Sequence, residues 1–113
     1  MTSADDALWG AIAEPSRRRV LDLLVHRGEA TASAIALAVP FTRQAVIKHL
    51  AVLEQAELVS RRREGREVFF RVDAGRLDDA TRLVKQIAQE WDRRLLDIKR
   101  IAEAAHHRAE TSE

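Results

Sequence analysis

Residues 31–39 read Thr-Ala-Ser-Ala-Ile-Ala-Leu-Ala-Val and lead into Pro40-Phe41; residues 42–54 read Thr-Arg-Gln-Ala-Val-Ile-Lys-His-Leu-Ala-Val-Leu-Glu. Residues 58–72 read Leu-Val-Ser-Arg-Arg-Arg-Glu-Gly-Arg-Glu-Val-Phe-Phe-Arg-Val. Thr31 and Thr42 each supply a hydroxyl where a helix needs an N-cap, and Pro40 ends the first helix. Val46, Leu50 and Leu53 recur at steps of four and three, which is the buried stripe of the second helix. Val68, Phe70 and Val72 alternate with Glu67, Phe69 and Arg71, which is a strand pattern, and Glu64-Gly65 supplies the turn before it. Helix, turn, helix, then a hairpin with arginines at its tip is the layout of a winged helix-turn-helix. The expected fold class is mainly α with a small β-hairpin. The helix-turn-helix spans about 31–54 and the wing 58–72. Such a module places its second helix in a DNA major groove and its wing on the backbone.

The second helix carries the chemistry of that reading. With Val46, Leu50 and Leu53 turned inward, a rotation of 100° per residue sends Gln44 and Lys48 almost directly outward. Ala51 and Gln55 lie near them. Ala45 and Val52 take one flank, Arg43 and Ile47 the other, and His49 sits nearer the core edge. Glutamine pairs bidentately with adenine, and arginine or lysine with guanine. The Thr42 hydroxyl and the first helical amides suit a phosphate. Arg61, Arg62, Arg63 and Arg66 gather at the wing tip. The expected DNA-binding set is therefore Thr42, Arg43, Gln44, Ala45, Lys48, His49, Arg61, Arg62, Arg63 and Arg66. A core-edge histidine is also often a structural hydrogen-bonding group, so His49 has both readings.

Outward from this centre, a first helix over about 4–13 carries Leu8, Trp9 and Ile12 on its apolar side. Pro15 suits the first turn of a second helix, whose inward face is Val20, Leu21, Leu24 and Val25 and whose end is Gly28. Thr31 then caps a helix with Ile35, Leu37 and Val39 as apolar contributors. From about Arg76 to His107 there is no Gly or Pro. Leu77, Ala80, Val84, Ile87, Trp91, Leu95, Ile98, Ala102 and Ala105 recur there at steps of three and four. That stripe is longer than a small domain can cover alone. Its simplest partner is the same helix of a second copy. The expected homodimer interface comprises Leu8, Trp9, Ile12, Ile87, Trp91, Leu95 and Ile98. Arg17-Arg18-Arg19 either touches flanking phosphates or pairs with nearby acids such as Asp22.

The whole chain of 113 residues reads as one domain, 1–113, with 46% apolar and 33% charged residues. Its net charge of +1 is small for a DNA binder, but it is unevenly spread. Residues 41–73 hold seven basic against five acidic side chains, and Arg61 to Arg63 are consecutive. Only charges within about a Debye length of the backbone count toward phosphate contact, so a local cluster suffices. The absence of cysteine removes disulfides, thiolate metal sites and thiol nucleophiles. No apolar run reaches the roughly 20 residues of a membrane span. The acidic start, Met1-Thr-Ser-Ala-Asp-Asp6, does not resemble a signal peptide. A bacterial, cytoplasmic protein is expected. No phosphate loop, nucleophile elbow or convergent carboxylate pair points to an enzyme.

Three segments together resemble the ArsR-type winged-helix transcriptional regulators: residues 13–24 (Ala-Glu-Pro-Ser-Arg-Arg-Arg-Val-Leu-Asp-Leu-Leu), residues 42–53 of the second helix, and Glu64-Gly-Arg-Glu-Val68. The resemblance covers about residues 7–105. It implies a homodimer held by the first and last helices, binding double-stranded DNA at an imperfect inverted repeat and repressing transcription. Two residues depart from the family pattern. Glu57 stands where glycine usually precedes the first wing strand, a position that favours a left-handed backbone. Ile47 stands where a small serine is common, which bears on close approach at that flank.

Many relatives respond to metal ions, through a cysteine pair in or near the third helix or an Asp/His set on the last. The first is impossible here. For the second, His107-x-x-Glu110 has ligand spacing, but Asp97 is followed by Ile98 and Lys99, so the matching Asp-x-His half is missing. Zinc needs three or four placed ligands. No cofactor and no metal site are expected, with a sensor built on His107 and Glu110 as one alternative. A winged fold serving protein–protein interaction is the other. Arg61, Arg62, Arg63 and Arg66 around the hairpin tip argue against it, because a protein-binding wing would more naturally present aromatic side chains.

Overall fold

The computed structural model describes residues 3–111. The described residues fall into two units, one ending at Ala80 and the other beginning at Thr81. The first unit contains α1 (Ser3–Ala13), α2 (Pro15–Arg27), β1 (Ala30–Thr31), α3 (Ala32–Ala36), α4 (Arg43–Gln55), β2 (Val59–Glu64), β3 (Glu67–Val72) and the start of α5 (Ala74–Thr111). The second unit is the rest of α5.

The helix boundaries follow from local chemistry. Pro15 opens α2, and the Glu14 carboxylate accepts from the amides of Ser16 at 3.2 Å and Arg17 at 2.7 Å. Gly28, at φ 81°, ends α2 and returns its N–H to the Leu24 carbonyl at 2.8 Å. Thr31 and Thr42 cap α3 and α4, each Oγ1 accepting from the amide three residues on at 3.1 Å. Asp73 does the same for α5, accepting from the Arg76 amide at 3.0 Å.

The end of α4 is a Schellman motif. Leu58 N–H reaches the Leu53 carbonyl and Glu57 N–H the Glu54 carbonyl, each at 3.0 Å. Leu53 and Leu58, the pair that accompanies such a turn, are fully buried. The motif requires a left-handed residue, and Glu57 occupies it at φ 63°. It is the lone non-glycine residue at positive φ among the described residues.

The sheet has the order β1-β3-β2 and is antiparallel throughout. Val59 pairs with Val72, and Glu64 with Glu67, so Gly65-Arg66 form a two-residue turn. Gly65 comes first in the turn at φ 61°, as a type II′ hairpin requires. The two-residue β1 was not expected from sequence. It pairs Ala30 with Phe70 and Thr31 with Phe69, which attaches the wing to the start of α3.

The core is built from Leu8, Val20, Leu24, Ile35, Val46, Leu50, Leu53 and Leu58, all essentially inaccessible to solvent. Burial of each contributes about 1.5–3 kcal/mol. Three expected placements are corrected. Leu8, assigned to the dimer interface, is fully buried in its own protomer and offers nothing to a second copy. Leu37 is 91% exposed because α3 ends at Ala36, and a helix of five residues has room for one inward position, taken by Ile35. Val25 is exposed because it lies a further 40° around the helix from Leu21, past the buried arc of Val20, Leu21 and Leu24.

Two arginines of the basic run in α2 hold the end of α1, through backbone carbonyls and not through acids such as Asp22, while Arg19 is exposed. The Arg17 guanidinium donates to the Gly10 carbonyl at 3.1 Å, and Arg18 donates to Ile12 at 3.0 Å and Ala13 at 3.2 Å. These two arginines satisfy the carbonyls at the end of α1, where cations are also favoured by the helix dipole. Arg76 works similarly, donating to the carbonyls of Ala56 at 3.0 Å and Ala4 at 3.3 Å.

The second unit is helix from Thr81 to Thr111. Val84, Trp91, Leu95 and Ile98 of the expected stripe are exposed, and Ile87 is half-buried. Leu96 and Ile101 are also exposed, each 66% accessible, and lie off the centre of that stripe. Among the described residues no helix is long and apolar enough to cross a membrane.

Candidate nucleic-acid interface

The surface formed by α4 and the β2–β3 wing gathers most of the expected contact residues. Thr42, Arg43, Gln44, Ile47, Lys48 and Ala51 are exposed on α4, and Ala45 is half-buried. Gln44 and Lys48 stand one turn apart on the outward side. The Thr42 oxygen is occupied as a cap, which leaves its hydroxyl hydrogen for an outside acceptor. The Arg43 Nε donates to Ser33 Oγ at 3.0 Å, which links α4 to α3.

His49 is the clearest departure from the expected set. Its side chain is 18% exposed, with Nδ1 3.9 Å from Glu14 Oε2. Its ring meets Phe41 edge-on at 5.5 Å between centroids. His49 therefore braces α4 against the start of α2, which is the structural one of its two readings. Glu14, which faces it, is held below the usual carboxylate range, chiefly by the hydrogen bond from the Arg17 amide. The Ser16 amide and the nearby charges of His49 and Arg17 add to that effect.

The four arginines near the wing tip divide into two pairs, and a fifth wing arginine, Arg71, is exposed on β3. Arg61 is clamped to Glu54, with Nε to Oε2 at 2.6 Å and Nη2 to Oε1 at 2.7 Å. That bidentate pair joins the wing to the end of α4, and the bond to Glu54 raises the Arg61 pKa further. Arg62 pairs with Glu29 and with Glu64, the latter at 2.7 Å, and its guanidinium lies 4.6 Å from the Phe69 ring centre. Arg63 has only a long bond to the Gly65 carbonyl, at 3.4 Å, and Arg66 is exposed in the turn. Two arginines thus serve the fold, and two face solvent with no carboxylate partner among the described residues. Sequence could not separate them, because Glu29 and Glu54 are brought to the wing by tertiary structure.

At the far end of α5, His106 Nε2 meets Glu110 Oε1 at 3.0 Å. The structure pairs Glu110 with His106, at i, i+4, where the sensor alternative had paired it with His107. Among the described residues no group of three or more His, Cys, Asp or Glu side chains is placed to hold a metal ion.

A helical core with a capped α4 that turns one face outward and a basic hairpin beside it defines a winged helix-turn-helix. Comparison with known proteins agrees. A family model described as a helix-turn-helix domain matches residues 12–62. The transcriptional repressor SdpR of Bacillus subtilis is 34% identical over 73 residues, 65% of this chain and 80% of the relative. An ArsR-like transcriptional regulator from Rhodococcus has a solved structure that is 35% identical, with a TM-score of 0.67 over 88% of this chain and 93% of that one. The homodimeric winged helix-turn-helix DNA-binding domain of a possible ArsR-family regulator from Mycobacterium bovis is 29% identical, with a TM-score of 0.61 and 79% of each chain covered. The chain belongs to the ArsR family of winged helix-turn-helix transcriptional regulators. It is a DNA-binding regulator and not an enzyme.

Proposed function

We propose that this protein acts in the cytoplasm as a homodimeric repressor that binds an imperfect inverted repeat. The outward face of α4 from each copy enters a major groove, with Gln44 reading a base edge and Lys48 meeting phosphate or guanine. Arg63 and Arg66 lie on the flanking backbone. Arg61 and Arg62 hold the wing in place instead of contacting DNA. The second copy covers Trp91, Leu95 and Ile98 on α5, and Trp9 and Ile12 on α1 face it too. The repressor assignment draws on SdpR, and the dimer on the Mycobacterium bovis domain and the bare α5 stripe.

The observation that carries this reading is the pairing of uncommitted polar side chains on α4 with two uncommitted arginines on the adjacent wing. The test is a binding-site selection from random duplexes, run on the unmodified protein and on Gln44→Ala and Lys48→Ala. The unmodified protein should enrich a two-fold symmetric site with half-sites about one helical turn apart. Gln44→Ala should weaken that site by about 1–3 kcal/mol and relax preference at one position per half-site. If Lys48 meets phosphate, Lys48→Ala should weaken all sequences alike. Retention of the full base preference by Gln44→Ala would remove Gln44 from the readout.

A further inference from the structure

Ile47 takes no part in the contacts described so far. It is a branched apolar side chain, 44% exposed, on the side of α4 that borders the wing. Ala51, one turn further along, is exposed beside it. With Val68 and Phe70 of β3 they line the apolar part of a hollow of about 370 Å³ between α4 and the wing. Arg43, Arg66, Glu67 and the Glu54-paired Arg61 line the same hollow.

We propose that Ile47 is a specificity-determining residue that reads a thymine by packing on its 5-methyl group. The proposal rests on the reading that α4 lies in a major groove. Among the base edges of that groove, the thymine methyl is the apolar feature; the others present hydrogen-bond donors and acceptors. An isoleucine laid on cytosine N4, adenine N6 or guanine O6 would strip water from those groups and return no hydrogen bond. On a thymine methyl it removes apolar surface from water on both sides. Attraction to one base and exclusion of the others act in the same direction. Arg43 and Arg66 outnumber the one carboxylate of the lining, Glu67, so the rim still favours the sugar–phosphate strand that carries such a thymine.

The site selected from random duplexes by the unmodified protein provides the substrate for the test. Each thymine in it is replaced in turn by deoxyuridine, which lacks only the methyl group. One thymine per half-site should prove sensitive, its replacement weakening binding about fourfold, the worth of one buried methyl. Ile47→Ser should lose that sensitivity and accept other bases at the position, while Ile47→Val should keep it. Because Ile47 is exposed, both variants should retain the circular dichroism spectrum and melting profile of the parent. Indifference to every thymine, or the same thymine remaining sensitive in Ile47→Ser, would overturn the role of Ile47 and leave the major-groove reading intact. Failure to enrich any sequence would sink both.

Discussion

Removing Arg63 and Arg66 together should flatten the salt dependence of DNA binding, and removing Arg62 should not. The distinction comes from the partners. Arg62 already faces Glu29 and Glu64, so its charge is largely neutralised within the fold. Arg63 has only the long bond to Gly65, and Arg66 is exposed in the turn. Each phosphate contact contributes about 0.9 to the slope of log K against log salt. Arg63→Ala with Arg66→Ala changes two residues per protomer and four per dimer, so the slope should fall by up to roughly 3.6. Raising salt from 50 to 200 mM is a fourfold change. Over that range the double variant should lose up to roughly 150-fold less affinity than the parent. Fluorescence anisotropy with a labelled duplex at four or five salt concentrations measures both slopes. Arg62→Ala should change the slope by far less than the double variant. A double variant with the parent's slope would mean the wing stays off the DNA. Equal flattening by Arg62→Ala would mean its ion pairs open on binding, and the division of the wing into structural and contacting arginines would be wrong.

Glu57→Gly should stabilise the protein by about 0.5–1 kcal/mol, because relief of a left-handed side-chain clash outweighs the added freedom of the unfolded chain. Chemical denaturation measures this, and a loss of stability would show that Glu57 is held by something other than the Schellman turn. Glu14 has a lowered folded pKa, so its contribution is full above the unfolded carboxylate pKa and is lost as pH falls through the lowered one. Glu14→Gln should therefore flatten the acid limb of the melting temperature against pH; an unchanged limb would remove Glu14 as its source. Trp91→Ala should weaken the dimer by about 3 kcal/mol or more, since two-fold symmetry counts the change twice. Sedimentation is the readout, and a variant as dimeric as the parent would place the interface elsewhere.

What the sequence made legible was local. The caps at Thr31 and Thr42, the end at Gly28, the inward trio of α4 and the strand alternation at Val68, Phe70 and Val72 depend on residues within a few positions of each other. The left-handed backbone at Glu57 was readable too, although only through the family's usual glycine there. The rest depends on contacts made at long range. Arg61 and Arg62 look identical to Arg63 in a sequence; what differs is that Glu54 and Glu29 arrive beside the first two. His49 lay on the edge between two faces, and Glu14 with Phe41 decided which way it leaned. Leu8 and Trp9 are neighbours on α1. A period of 3.6 cannot say which of them meets its own core and which stays 38% exposed. The short β1 carries no alternation of its own and exists only because β3 offers an edge.

The arrangement of charge bears on how such a protein discriminates. Between residues 41 and 73 seven basic side chains face five acidic ones, and the fold pairs Arg61 and Arg62 with carboxylates. Five basic side chains of this segment, Arg43, Lys48, Arg63, Arg66 and Arg71, are then left for phosphates. Affinity for arbitrary DNA grows with the number of phosphates neutralised, so it stays modest for one copy. On the proposed function, specific binding would draw on the outward face of α4 and on joining two copies, which doubles every contact while orienting both helices at once. If the protein binds as the proposed dimer, an apolar stripe on α5 and a wing with two of its five arginines withdrawn are linked features. A wing with all its arginines free would bind any duplex more tightly, and a monomer could then occupy non-specific sites. Holding two of them in ion pairs lowers that background. On the proposed function, the preference of the protein would then rest on residues that touch bases, in both half-sites together.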